Sequence, residues 1–166
     1  MRAPVLALLA MAAPHTPAFA DPAPYQIEIH AGYGVAASGS AMALITRPSP
    51  VTVTGIIAVA TSADPPVAGY GGLTVETVDR TGAGAVAGVE LLPHNHLHLA
   101  GGGVVMVAPY TLWGVNASIG VCGHFIKSAA LCGDLQLTAF IAGDDLPEGR
   151  TVTQGQFVIG LVFDAL

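Results

Sequence analysis

Apolar and polar residues alternate one by one through most of this chain. In 26-QIEIHAGYGVA-36, Ile27, Ile29, Ala31, Tyr33 and Val35 fall on one side, opposite Gln26, Glu28, His30, Gly32 and Gly34. A period of two is the spacing of a β-strand with one apolar and one polar or small face. The pattern recurs in 51–62, where Val51, Val53, Ile57 and Val59 oppose Thr52 and Thr54, and more weakly in 70–79 and 83–91. It continues in 96–108, 112–125, 131–143 and 154–164, with Leu97 and Leu99 opposing His96 and His98, and Phe157, Ile159 and Leu161 opposing Gln154 and Gln156. The expected fold is therefore all-β with about eight strands, the segment 37–50 being a connection with room for a short extra strand.

An even number of strands returns both chain ends to the same side. The connectors then sort into turns at 62–69, 92–95 and 126–130 on that side, and loops at 37–50, 79–82, 108–111 and 143–153 on the other. With the N-terminus in the periplasm, the first set is periplasmic and the second faces outward.

Composition changes the picture from a strand-rich domain to a membrane one. Arg2 followed by the apolar run 3–13 and Ala18-Phe19-Ala20 reads as a cleaved signal peptide over residues 1–20, with His15 in the discarded part. Residues 21–166 suit a single domain. Apolar residues make up 52 % of the chain and charged residues 10 %, against about 25 % charged in an ordinary soluble domain. Beyond the signal no run of roughly 20 apolar residues could form a spanning helix. A soluble barrel would need Lys, Glu and Asp on its outside. Here the face opposite the apolar one carries small and neutral polar residues, which suit the narrow interior of an eight-stranded barrel. The expectation is a closed antiparallel up-and-down transmembrane β-barrel, exported to the outer membrane of a Gram-negative cell and surrounded by outer-membrane lipid. The alternative is an exported soluble β-barrel or sandwich binding a small apolar ligand. Arg47, Arg80, Lys127 and Arg150 are scattered, so nucleic-acid binding has no support.

The signal peptide, the alternating runs and the ending 157-FVIGLVFDAL-166 resemble the small outer-membrane barrels of the OmpA/OmpX/opacity type. The resemblance implies a structural or surface-exposed, porin-like monomer with no catalytic centre, delivered to the barrel-assembly machinery through its C-terminal strand. It departs from that group in the three residues that follow Phe163 and in outer loops that are short.

Several polar positions point to chemistry inside such a barrel. Glu28, His30, Glu90, His96, His98, His124 and Asp134 fall on inward positions near the periplasmic end, with no Lys or Arg among them. Buried carboxylates need hydrogen bonds, protons or an ion, so a lumen network is expected. His96 and His98 two apart on one face are also a candidate pair of ligands for a divalent metal, completed from a neighbouring strand; no other cofactor is expected. His94 belongs to the turn after Pro93. Gly88, His94 and His96 match the spacing of a cupin's first metal motif, but its glutamate is replaced by Ala100 and Gly101. A deacylase-like His-x-Ser is absent at His96-Leu97-His98, and Ser118 and Ser128 lack a histidine in register. Cys122 and Cys132 both point inward and flank the turn at Lys127, which places them for a disulfide. Tyr110, Trp113 and Phe163 lie at strand ends, where interfacial aromatics belong.

Overall fold

A computed structural model describes residues 25–40, 43–61, 67–77, 81–91, 96–146 and 150–165. The signal peptide, His94 and Arg80 lie outside the described residues. The elements are β1 (Tyr25–Ser40), β2 (Ala43–Pro48), β3 (Val51–Ala60), β4 (Val67–Thr77), β5 (Gly82–Leu91), β6 (Leu97–Ala108), β7 (Leu112–Ile126), β8 (Ala129–Ala142) and β9 (Thr151–Ala165). Strands β3 to β9 pair with their sequence neighbours, all antiparallel. Strand β9 then pairs along β1 from Tyr25↔Ala165 to Gly39↔Thr151, and β1 pairs with β3, which closes an eight-stranded barrel. Closure leaves no free edge along the barrel wall, and it excludes the sandwich.

The segment 37–50 departs from the expected connection. Strand β1 runs on to Ser40, and β2 folds back on it in a hairpin, Ser40↔Ala43 to Val35↔Pro48. Strand β3 carries on from β2 one register position out of step, because Ser49 and Pro50 form a buried kink. The polar backbone at that kink is satisfied from within. Ser49 N donates to Gly34 O, and the Gln156 amide donates to Ser49 Oγ at 3.2 Å and Pro50 O at 3.1 Å.

Side-chain facing follows from the register. Directly paired residues share a face, and in the barrel strands the pairs join even to even and odd to odd, as in Ile29↔Leu161, Leu161↔Leu131 and Ile119↔Leu135. Even-numbered residues therefore point into the lumen around the whole circuit, and odd-numbered ones point out. The exceptions are local shifts at strand ends, at Ala83/Gly84, Trp113/Gly114 and His124/Ile126. The outward set is apolar and exposed on every barrel strand, including Ile29, Ile57, Leu73, Val89, Leu97, Ile119, Leu135 and Phe157.

The lumen is filled in layers. A middle layer is apolar, made of Tyr70, Val86, Val104, Met106, Leu112 and Phe140. The sequence pattern did not separate these residues from the polar face. The Tyr70 ring lies across two glycines, since a Cβ at Gly88 or at Gly102 would come within 2.7 Å of it. The remaining central cavity measures about 60 Å³, enough for roughly two waters and far from an open channel.

Cys122 and Cys132 face each other across β7 and β8 and form a disulfide, with Cα atoms 4.0 Å apart. Cys122 N donates to His96 O on the β6 side. The cysteines thus occupy a non-hydrogen-bonded pair of the β7–β8 ladder, where side chains lie closest. Replacing both by alanine is expected to lower unfolding stability by about 2–3 kcal/mol, from the loop entropy of a short closed loop. Urea titration with and without reductant checks this, since reductant should reproduce the loss in the parent and leave the variant unchanged.

Candidate functional site: a polar layer in the lumen

The polar layer near the end that carries the chain termini is built from four strands. His98 on β6 and Asp134 on β8 each pair with Gly120 on β7, His98↔Gly120 and Gly120↔Asp134. The two side chains meet over that glycine, His98 Nδ1 lying 2.8 Å from Asp134 Oδ1. A Cβ at Gly120 would sit 2.1 Å from Asp134 Oδ1 and 2.2 Å from Gly133 O, so only glycine leaves room for the contact. On its other side His98 Nε2 lies 3.3 Å from Glu90 Oε2, reached from β5. Both ring nitrogens of one imidazole are therefore engaged by carboxylates. Glu28 and His30 on β1 form a second pair, with Nε2 2.9 Å from Oε2. The His30 ring lies over Gly160, where a Cβ would come within 2.7 Å of its Cδ2. Glu28, Glu90, His98 and Asp134 are buried. The described cations Arg47, Lys127 and Arg150 are all exposed.

Gly120→Ala is expected to destabilise the barrel by about 1–3 kcal/mol through forced displacement of Asp134. Gly155→Ala is the control, because a Cβ there meets nothing within 4 Å. It is expected to be neutral or to stabilise by roughly 0.4–1 kcal/mol. Paired urea titrations of the refolded variants compare the two.

Two of the expected members do not join this layer. His96 has φ 63°, a left-handed conformation that breaks the alternation just before β6. Its side chain is exposed, with Nδ1 3.0 Å from Cys122 O at the barrel rim. His96 and His98 consequently do not share a face, and the expected metal pair does not form. Among the described residues no three His, Cys, Asp or Glu side chains converge as a metal site. His124 has the inward parity but lies beyond the disulfide, next to a register shift, and is exposed. Strand periodicity continues past the rim, whereas the lumen does not.

A second polar cluster at the opposite end has little trace in the sequence. Glu76 on β4 is buried and accepts from Gln154 Nε2 at 3.3 Å and from the Tyr110 hydroxyl. Tyr110 thus bends into the mouth of the lumen instead of anchoring the outer surface, while Trp113 and Phe163 do face outward. The parity of Glu76 placed it inside, but its partners come from the β6–β7 loop and from β9, at separations of 34 and 78 residues.

No protein-family model matches the sequence, and no curated protein matches it. Among solved structures the chain is similar to Neisserial surface protein A, with a TM-score of 0.53 and 10 % identity over 88 % of this chain and 100 % of that one. It is also similar to Ail, the attachment invasion locus protein of Yersinia pestis, with a TM-score of 0.47 and 12 % identity over 83 % of this chain and 98 % of that one. The chain has the fold of the small eight-stranded outer-membrane barrels. At this identity the likeness concerns the path of the chain and says nothing of its ligands.

Proposed function

We propose that this protein is an outer-membrane barrel with a structural or surface-exposed role and no catalytic centre. The observation that carries the reading is the exposed apolar belt formed by the outward residues of all eight barrel strands. Such a belt is unfavourable in water and matches the hydrocarbon region of a bilayer. The closed ladder pairs each of the eight barrel strands on both sides within the fold, as a lipid environment requires. A soluble barrel carrying a small apolar ligand would reverse the facing, with apolar side chains around a cavity and charges outside. Here the lumen is filled and its ends are polar. Both termini lie at one end of the barrel, which supports a periplasmic position for that end and an outward position for the β1–β2 hairpin. The apolar strand β9 supplies the signal for barrel assembly, and a single chain completes the barrel.

The absence of a catalytic role rests on His98, which spends both ring nitrogens on carboxylates and has none left to activate a hydroxyl. Cell fractionation tests the main reading. The mature chain is expected in the outer membrane, extracted only by detergent, and migrating faster on gels before heating than after. Recovery as a soluble periplasmic monomer would overturn it.

A further inference from the structure

Among the described residues, the polar layer of the lumen holds more carboxylates than cationic side chains to face them. In the polar layer at the terminal end of the cavity stand Glu28, Glu90 and Asp134, with His30 and His98 the described titratable bases among them, while Glu76 lines the cavity from the other end and is engaged by Gln154 and Tyr110. Even with both imidazoles charged, three carboxylates against two histidines leave one negative charge over. Of the two carboxylates with an orphaned oxygen, Glu90 and Asp134, Glu90 is the one that lines the cavity. Its Oε2 is shared with His98, and its Oε1 is buried with no hydrogen-bond partner, in a side chain 2 % exposed. Glu28 and Glu90 both line the cavity, together with the oxygen-bearing side chains of Ser118 and Gln136, while the Tyr70 ring stands beside it with its hydroxyl turned to Asn116. A buried carboxylate oxygen without a partner is costly, and the cavity of about 60 Å³ beside it holds an ion with a water.

We propose that this cavity binds a hard, oxygen-preferring cation of the Ca²⁺ type, held by the carboxylates of Glu28 and Glu90 and by neutral oxygens of the lumen wall. His98 is held by two carboxylates and His30 lies 2.9 Å from Glu28, which leaves carboxylate and neutral oxygens as the donors for an ion, a set that suits a hard cation. A bound divalent cation would balance the two carboxylates of Glu28 and Glu90 and tie β1 to β5 across the lumen.

Terbium(III) is the probe, because it takes calcium-type sites and luminesces when excited through a nearby tyrosine. The full mature chain is refolded in detergent with the ion present, and only protein migrating as a closed barrel is measured. The expected result is a saturable, one-to-one Tyr-sensitised signal that Ca²⁺ displaces. Glu28→Gln and Glu90→Gln should each weaken binding by about tenfold or more, since ligand charge sets affinity at such sites. Tyr70→Phe should cut the luminescence while leaving Ca²⁺ binding by calorimetry intact, and His96→Ala, at the rim, should change neither. If the Gln variants fail to close, the Tyr70→Phe result still decides where the ion sits. A closed wild-type barrel with no saturable signal overturns the proposal, as does undiminished binding in Glu90→Gln or undiminished luminescence in Tyr70→Phe. The outcome is independent of the fractionation result, because it reads the lumen and not the cellular location.

Discussion

His98→Ala is expected to cost about 3–5 kcal/mol of unfolding stability, the range for removing one partner from a buried ionic arrangement. The imidazole lies between Glu90 Oε2 and Asp134 Oδ1, and both carboxylates are buried. Glu90 Oε1 and Asp134 Oδ2 already lack hydrogen-bond partners. Removing the histidine strips the remaining contact from each side chain and opens a cavity between β5, β6 and β8. The loss should be largely a matter of the stranded carboxylates. Adding Glu90→Gln and Asp134→Asn to His98→Ala should therefore recover a substantial part of it. Urea unfolding in lipid vesicles measures the effect, followed through Trp113, the single tryptophan, which stands on the outer wall. A His98→Ala variant as stable as the parent would show that the layer contributes no stability.

Leu135→Arg is expected to destabilise the barrel in a bilayer by about 2–4 kcal/mol, the cost of a cation on the lipid face near the midplane. Leu135 is 64 % exposed and pairs with Ile119 and Phe157 on the neighbouring strands, well away from the ends of β8. The same change at Thr151, exposed at the outer end of β9, should cost little, roughly 0–1 kcal/mol, because the penalty falls toward the interface. The two variants separate the membrane reading from the soluble one without any localisation experiment. In a soluble barrel an added surface arginine at position 135 would be neutral, and Leu135 and Thr151 would respond alike.

Much of this is legible in the sequence. The alternation of Ile27, Ile29, Tyr33 and Val35 with Glu28, His30, Gly32 and Gly34 assigns faces, because side chains in a strand take opposite sides in turn. The opposing positions of Cys122 and Cys132 about one short turn were readable for the same reason. What failed did so where local rules stop. His96 keeps the right parity on paper, but its positive φ turns it out of the strand path. His124 keeps the parity too, but the wall it would need around it has ended. Tyr110 has the composition of an interface anchor, and only the position of Glu76 on a strand distant in sequence draws its hydroxyl inward.

By itself the sequence determined the strands, their faces and the pairing of sequence neighbours, and with them the expectation of a closed barrel apolar outside and polar within at the end near the termini. These follow from a period of two and short connections, which are local properties of a strand. Only the tertiary structure decided which inward residues meet, and that depends on heights and gaps around a closed circuit. Gly120 lets Asp134 reach His98, Gly160 admits His30, Gly88 and Gly102 admit Tyr70, and the β1–β9 closure brings Glu28 into the same lumen as Glu90. None of these meetings is encoded by a neighbour in the chain. Each depends on the space that a glycine on one strand leaves for a side chain from another.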